Sequence, residues 1–273
     1  MIKEKIRRFY DIGSPYYARI YGEHIHDGFY ITGKETRAEA QENLTRIMAE
    51  KARVKRGDKV LDVGSGLGGS SIWLARERGA LTTGITLSQV QAQTATQRAA
   101  EQGVSSRFLV MDAEQMDFPE PFDLIWAVGV LTHLEDQERF VRQTWHHLKP
   151  GGRLAIFDWM LDENVVDSGA DAQIRLIKDG MLLPALFPLS AYLSWIARYG
   201  FRLVYAEDIT EQTENTWKDA VSVVRQPAVW GLVGKLAREE GKEVFTFVRS
   251  LLAMKLAMQD GRVKAGALVA KKI

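Results

Sequence analysis

Val60-Leu61-Asp62-Val63-Gly64-Ser65-Gly66-Leu67-Gly68-Gly69 is the stretch whose reading decides the fold. Lys59 to Val63 reads as a short buried strand, because its apolar residues are closely packed and a turn signal follows at once. Gly64, Gly66 and Gly69 permit what side chains would obstruct: a tight turn, a ligand against bare backbone, and close packing of the next helix. The spacing G-x-G-x-x-G is also that of a dinucleotide-binding turn, so spacing alone leaves two readings level.

Asp62 separates them. It stands at the carboxyl end of the strand, where open α/β sheets bind ligands. A carboxylate there repels a pyrophosphate, which favours helix N-terminal N–H groups with no anion beside them. It suits a cationic ligand, and S-adenosylmethionine carries a sulfonium and an ammonium. The run Asp-x-Gly-x-Gly-x-Gly resembles motif I of the class I S-adenosylmethionine-dependent methyltransferases. That resemblance implies an α/β, Rossmann-like sheet of seven mostly parallel strands, with S-adenosylmethionine as cofactor.

The rest of the chain keeps the rhythm of such a sheet. Strands are expected at Ala80–Thr86, Arg107–Met111, Asp123–Val128 and Leu154–Trp159, with helices Gly69–Arg78, Ser88–Gln102 and Asp136–Leu148 between them. A helix over Glu35–Lys51 precedes them. After Met160 the spacing loosens. Leu161–Pro188 is long for a connection, and its apolar second half argues against disorder. A helix at Ser190–Tyr199, a strand at Phe201–Ile209, helical material over Thr213–Gln259 broken near Pro227, and a strand at Val263–Ala270 complete the chain. The expected division is a helical flap over residues 1–54, a cofactor-binding core over 55–160, and a remainder over 161–273 with lid insertions at 161–189 and 210–260.

Bulk properties narrow the partners. The 273 residues allow one α/β domain with insertions or two small domains. A net charge of +1 carries no electrostatic footprint for nucleic acid. The absence of cysteine excludes disulfides and thiolate metal sites. With no secretory signal and no long uncharged apolar run, a cytoplasmic protein without a transmembrane segment is expected. A homodimer stays open, as does peripheral membrane contact through the basic N-terminal helix.

The first thirty residues are basic and then aromatic: Phe9, Tyr10, Tyr16, Tyr17, Tyr21, Phe29 and Tyr30. Ile2, Ile6 and Phe9 have helical spacing, and Gly13-Ser14-Pro15 is expected to interrupt the helix. The segment reads either as a helix packed over the sheet edge or as a flap over the cofactor, since Tyr and His combine a flat apolar face with a polar tip. Tyr21-Gly22-Glu23-His24-Ile25-His26-Asp27-Gly28-Phe29-Tyr30 resembles a Gly-x-His-x-His-x-Gly-Phe-Tyr stretch of the tocopherol methyltransferases. By that resemblance Tyr21, His26 or Tyr30 touches cofactor or substrate.

Further resemblances name the remaining site residues. Gly84-Ile85-Thr86-Leu87-Ser88-Gln89-Val90-Gln91 is similar to the Gly-x-Thr-Leu-Ser-x-x-Gln variant of the tocopherol methyltransferases and cyclopropane fatty acid synthases. It implies that Thr86, Leu87 and Gln91 frame the ribose; a nicotinamide enzyme would place an acid where Thr86 stands. Met111-Asp112-Ala113-Glu114 resembles the adenine-binding turn, with Asp112 accepting the amino proton and the Ala113 backbone meeting the ring. Gly64, Gly66, Val128 and His133 complete the expected cofactor contacts. Val128 to Asp136 resembles the segment after the fourth strand in small-molecule methyltransferases, where a His stands at the position of His133. A neutral imidazole there is a candidate general base, against the plainer reading of a His that packs or caps a helix. Thr132 departs from both subfamilies, which have Glu at that point.

His133, Tyr21 and His26 are thus the candidate catalytic residues. A metal site is not expected, because no carboxylate-rich cluster accompanies the histidines. The expected activity is methyl transfer to carbon, nitrogen or oxygen of a hydrophobic small molecule such as a prenylated phenol, a terpenoid or an alkaloid. Phe187, Tyr192, Trp195, Trp217 and Trp230 are candidates for lining its pocket. The alternatives are an NAD(P)-dependent oxidoreductase and a non-catalytic protein that only binds S-adenosylmethionine.

Overall fold

The computed structural model describes every residue except Met1, Val166, Ser168, Ala170 and Lys242; these five, in the expected flap and lid insertions, lie outside the described residues. Lys59–Val63 forms β1, and the sheet grows from it on both sides. β2 (Leu81–Thr86) pairs parallel with β1, setting Asp62 opposite Gly84, and β3 (Ser106–Val110) adds beyond β2. On the other side β4 (Phe122–Val128) and β5 (Leu148–Leu161) follow, both parallel. β6 (Phe201–Asp208) takes the far edge, and β7 (Val263–Lys272) runs antiparallel between β5 and β6. The strand order is β3-β2-β1-β4-β5-β7-β6. This is the mostly parallel, Rossmann-like α/β sheet expected. Its order reverses between β1 and β4, which opens a crevice at their carboxyl ends.

The helices start and stop where local chemistry dictates. α1 covers Ile2–Tyr21. α2 (Arg37–Lys51) begins with a capping box, in which Thr36 and Glu39 satisfy each other's backbone N–H groups. α3 (Gly69–Arg78) ends at Gly79 in the left-handed region, and Ser88 caps α4 (Gln89–Glu101) through the Gln91 N–H. Asp136 caps α5 (Gln137–His147). Beyond β5 come α6 (Ala172–Met181), α7 (Leu189–Arg198), α8 (Thr210–Val224), α9 (Pro227–Glu240) and α10 (Glu243–Gln259). Alternate residues of the central strands feed opposite cores: Val60, Trp126 and Phe157 pack on one face, Leu61, Ile125 and Ile156 on the other.

Two expectations are corrected, and the expected break near Pro227 is found with a second one added. α1 does not break at Gly13-Ser14-Pro15; it runs through Pro15. Proline removes one intrahelical hydrogen bond, and the loss is offset by an inward face on which Ile6 and Ser14 are buried and Phe9, Tyr10 and Tyr17 pack edge-on or tilted against one another. The 161–188 connection contains α6, capped by Asp171, whose Gly180 lets the Ser250 side chain of α10 come close: a Cβ at Gly180 would lie 2.5 Å from that of Ser250. The helical stretch before β7 is three helices, because Pro227 begins α9 at its first position and Gly241 ends it.

Candidate active site

The crevice is a cavity with two walls. Asp62, Gly64, Gly66, Thr86, Leu87, Gln91, Asp112, Ala113 and Val128 line it from the sheet side, and Tyr21, His26 and His133 face it from the other. The structure therefore brings together every residue singled out for cofactor binding or catalysis except Tyr30.

On the sheet side the backbone is bare. Gly64 has φ +72°, and a Cβ there would lie 2.4 Å from Val130 Cγ2. At Gly66, φ +52°, an added Cβ would project into the cavity, with Ile25 Cδ1 at 3.6 Å its nearest side-chain neighbour. Asp62 is only 3% exposed, and the Ser71 hydroxyl donates to its Oδ2 at 2.6 Å. Burial pushes its carboxyl up to about 7, with the Ser71 bonds pulling the other way. The Thr86 hydroxyl donates to Gln91 Oε1 at 2.7 Å, which leaves the amide N–H groups as the donor end. A glycine cradle, a buried acid and an oriented amide donor are what a cationic nucleoside ligand such as S-adenosylmethionine requires.

The other wall is helical and aromatic. α1 is tied down at three points: Lys3 Nζ lies 2.7 Å from Asp112 and 2.8 Å from Glu114, Tyr10 Oη lies 2.9 Å from His133 Nε2, and Ser88 Oγ donates to Asp11 at 2.6 Å. The segment after α1 folds across the start of α3. There His24 Nδ1 lies 2.9 Å from His26 Nε2, and His26 Nδ1 donates to the Asp27 carbonyl at 2.7 Å. Gln41 fixes this loop by donating to the carbonyls of His24 and His26. Asp27 accepts from the Trp159 indole at 2.9 Å, and burial lifts its carboxyl to about 7. Trp159, Trp217, Met181, Phe247 and Leu251 close the apolar end.

His133 ends a short 3-10 turn, Leu131–His133, at the exit of β4. Its Nδ1 faces the Leu182 carbonyl at 3.3 Å, so that nitrogen carries the hydrogen and Nε2 presents its lone pair to the Tyr10 hydroxyl. Burial drives the imidazole down to about 4, so it is neutral at physiological pH.

Some expectations fail here. Of the five aromatic residues proposed for the acceptor pocket, only Trp217 lines the cavity. Phe187, Tyr192 and Trp195 belong to the opposite core, where the Tyr192 hydroxyl donates to Gln137, and Trp230 is exposed on α9. Composition identified apolar rings but not the sheet face they occupy. Tyr30 turns away to donate to Asp219. Lys3, Tyr10, Asp27, Trp159 and Phe247 line the cavity without having been singled out. Among the described residues no three potential ligands converge on a metal position, and none of the helices is long and apolar enough to cross a membrane.

A family model described as mycolic acid cyclopropane synthetase matches residues 2–227. The chain belongs to this family. It is 32% identical to a 27-O-demethylrifamycin SV methyltransferase of Amycolatopsis mediterranei, across 79% of this chain and 80% of that protein. It is 31% identical to a probable chloroplastic tocopherol O-methyltransferase of Oryza sativa subsp. japonica, across 99% and 78%. Among solved structures it is similar to the 4+2 cyclase SpnF, with 25% identity, a TM-score of 0.84, and coverage of 99% and 96%. The protein is thus an S-adenosylmethionine-dependent methyltransferase, and the nicotinamide reading is set aside.

Proposed function

We propose that this methyltransferase methylates a hydroxyl oxygen of a hydrophobic small molecule, with a prenylated phenol as the representative acceptor. The observation that carries this reading is the pairing of Tyr10 with a neutral His133 beside an aromatic chamber. A hydroxyl acceptor must lose a proton as its oxygen is alkylated, whereas an alkene needs no base at that point. Two relatives are named as O-methyltransferases or as acting on a 27-O position, which agrees with this choice.

S-adenosylmethionine, when bound, supplies an electrophilic methyl group on a sulfonium. Asp62, Gly64, Gly66, Thr86, Leu87, Gln91, Asp112, Ala113, Val128 and His133 form its binding surface in this reading, with residues 55–160 as the cofactor core. Tyr21 and His26 shape the boundary between cofactor and acceptor. The apolar groups of residues 1–54, 161–189 and 210–260 seat the acceptor and exclude water. As the new O–C bond makes the hydroxyl proton strongly acidic, it passes to the Tyr10 hydroxyl oxygen while Tyr10 hands its own hydrogen to His133 Nε2, so a base with a pKa of about 4 suffices. The Tyr10–His133 hydrogen bond keeps the imidazole lone pair on that relay. The enzyme works in the cytoplasm on this reading.

A labelled-methyl transfer screen over prenyl quinols, terpenoid diphosphates and alkaloid amines tests it. Label is expected on the phenolic oxygen of a quinol, and transfer only to amines or to carbon would sink the proposal. With the acceptor found, His133→Ala is expected to lower turnover about 100-fold; unchanged turnover removes the base role.

A further inference from the structure

The turn that carries His133 has no cap of its own. Val130 stands at its N-terminal position with no side-chain hydrogen bond to offer, so the first N–H groups of the turn need partners from elsewhere. Asp158 on β5 supplies them. Its Oδ2 accepts from the Leu131 N–H at 2.6 Å and the Thr132 N–H at 3.3 Å, while Oδ1 accepts from the Thr132 hydroxyl at 2.9 Å. The Trp159 N–H adds a fourth bond, to Oδ1 at 2.8 Å. Asp158 and Thr132 are each 1% exposed. This arrangement also gives Thr132, the departure from the Glu of related subfamilies, a structural role: its hydroxyl is a donor to a carboxylate reaching across from the neighbouring strand.

We infer that Asp158 is a positioning residue for the methyl-transfer site, holding the 131–133 turn so that His133 presents Nε2 to Tyr10 and, through it, to the acceptor. The inference rests on the reading of His133 as the base. Without the carboxylate, two buried N–H groups and a hydroxyl lose their acceptor, and the turn is free to rotate the imidazole off its line. Asp158 has a second effect. Its negative charge is close enough to raise the Tyr10 phenol, after burial, and thereby to keep that hydroxyl protonated as a donor. Asp158 is not itself among the cavity-lining residues, so it acts through the turn rather than on the acceptor.

The test uses the full-length protein saturated with S-adenosylhomocysteine and labelled with 15N in its histidines, the His133 signals being assigned by their loss in His133→Ala. Wild type is expected to show one His133 tautomer, protonated at Nδ1. Asp158→Asn is expected to lose that single tautomer and to lower kcat on the phenolic acceptor about 100-fold, with KM and S-adenosylhomocysteine affinity within about threefold of wild type. Unchanged His133 signals in Asp158→Asn overturn the inference. A fall in kcat with unchanged signals does so too, because it would locate the defect elsewhere. Where Asp158→Asn fails to bind S-adenosylhomocysteine, Thr132→Val decides: it keeps the carboxylate and removes one donor, and is expected to broaden the tautomer signal and lower kcat roughly tenfold. Wild-type behaviour of Thr132→Val would then reject the inference. If His133→Ala itself leaves turnover intact, the base reading falls, while the tautomer measurement still judges whether Asp158 holds the turn.

Discussion

The two walls of the cavity are built on different principles. The sheet wall is set by register: once β1 pairs with β2 and β4, Asp62 lies opposite Gly84 and Trp126, and the Gly64–Gly66 turn has one place to go. The flap wall is set by side chains reaching between elements distant in sequence, such as Lys3 to Asp112 and Tyr10 to His133. Backbone pairing tolerates little variation, whereas a helix held by a few side-chain bonds can shift or carry other residues at small cost. A shared cofactor and divergent acceptors follow from that asymmetry.

The sharpest way to break the comparison is to make the same backbone demand on both walls. Gly64 and Gly22 both have strongly positive φ, +72° and +80°. A Cβ at Gly64 lies 2.4 Å from Val130 Cγ2, while at Gly22 nothing stands within 4 Å. Gly64→Ala is expected to cost about 2–5 kcal/mol, from left-handed strain plus overpacking, and to abolish S-adenosylhomocysteine binding. Gly22→Ala carries the strain alone, about 1 kcal/mol, and leaves binding intact. Urea denaturation and titration calorimetry measure both. Equal losses would show that the sheet wall is no more rigid than the flap.

Protonation separates the walls in a different way. Burial raises Asp62 and Asp27 to about 7 and Asp158 to about 6, so the folded protein holds protons that the unfolded chain releases. Stability therefore falls as pH rises from near 4 through those values. His26 and His133, lowered to about 4 by burial, act oppositely: their contribution is gained as pH rises from 4 to 6.5 and is lost on acidification. Above pH 6.5 the carboxylate effect outweighs what remains of the histidine one. The free protein is expected to lose roughly 1 kcal/mol between about pH 6.5 and 8. Binding S-adenosylmethionine should reverse this loss, because a cation favours the ionised Asp62 and expels its proton. Calorimetry in buffers of different ionisation enthalpy should register that release at pH 7, and Asp62→Asn should abolish it. Release unchanged in Asp62→Asn would mean that the cation does not sense this acid.

The sheet wall was legible in the sequence because its determinants are local. Glycine spacing, the acid before it and the capping serine of α4 each act within a few residues. The flap wall was only partly legible. Ile6, Tyr10, Tyr17 and Tyr21 all line the cavity and lie on one helical face, a pattern visible only if the helix is read straight through Pro15. α6 also carried a signal, Ile174, Ile177 and Met181 at helical spacing, obscured by Gly180. Asp158 had none: its partners are 26 and 27 residues away on another strand's exit, and only the β4–β5 register brings them together. The aromatic residues of α7 failed for the same reason, since a ring's affinity for a core does not say which side of the sheet that core lies on.

The smallest expected effect probes the latch itself. Lys3 pairs with Asp112 and Glu114 at the edge of the cavity, and its side chain is 25% exposed. Partly solvated pairs of this kind contribute about 0–1 kcal/mol, enough to slow the flap but not to fix it. Lys3→Met should then raise the association and dissociation rates of S-adenosylhomocysteine alike, by about threefold, leaving Kd nearly unchanged. Raising salt from about 0.05 to about 0.5 M should accelerate exchange in wild type and not in the variant, because screening weakens the same pair. Stopped-flow fluorescence reads both rates. If wild type and Lys3→Met exchange at the same rate at every salt concentration, the flap is held by its inward Ile6–Tyr10–Tyr17 face. The two walls would then differ in chemistry but not in rigidity.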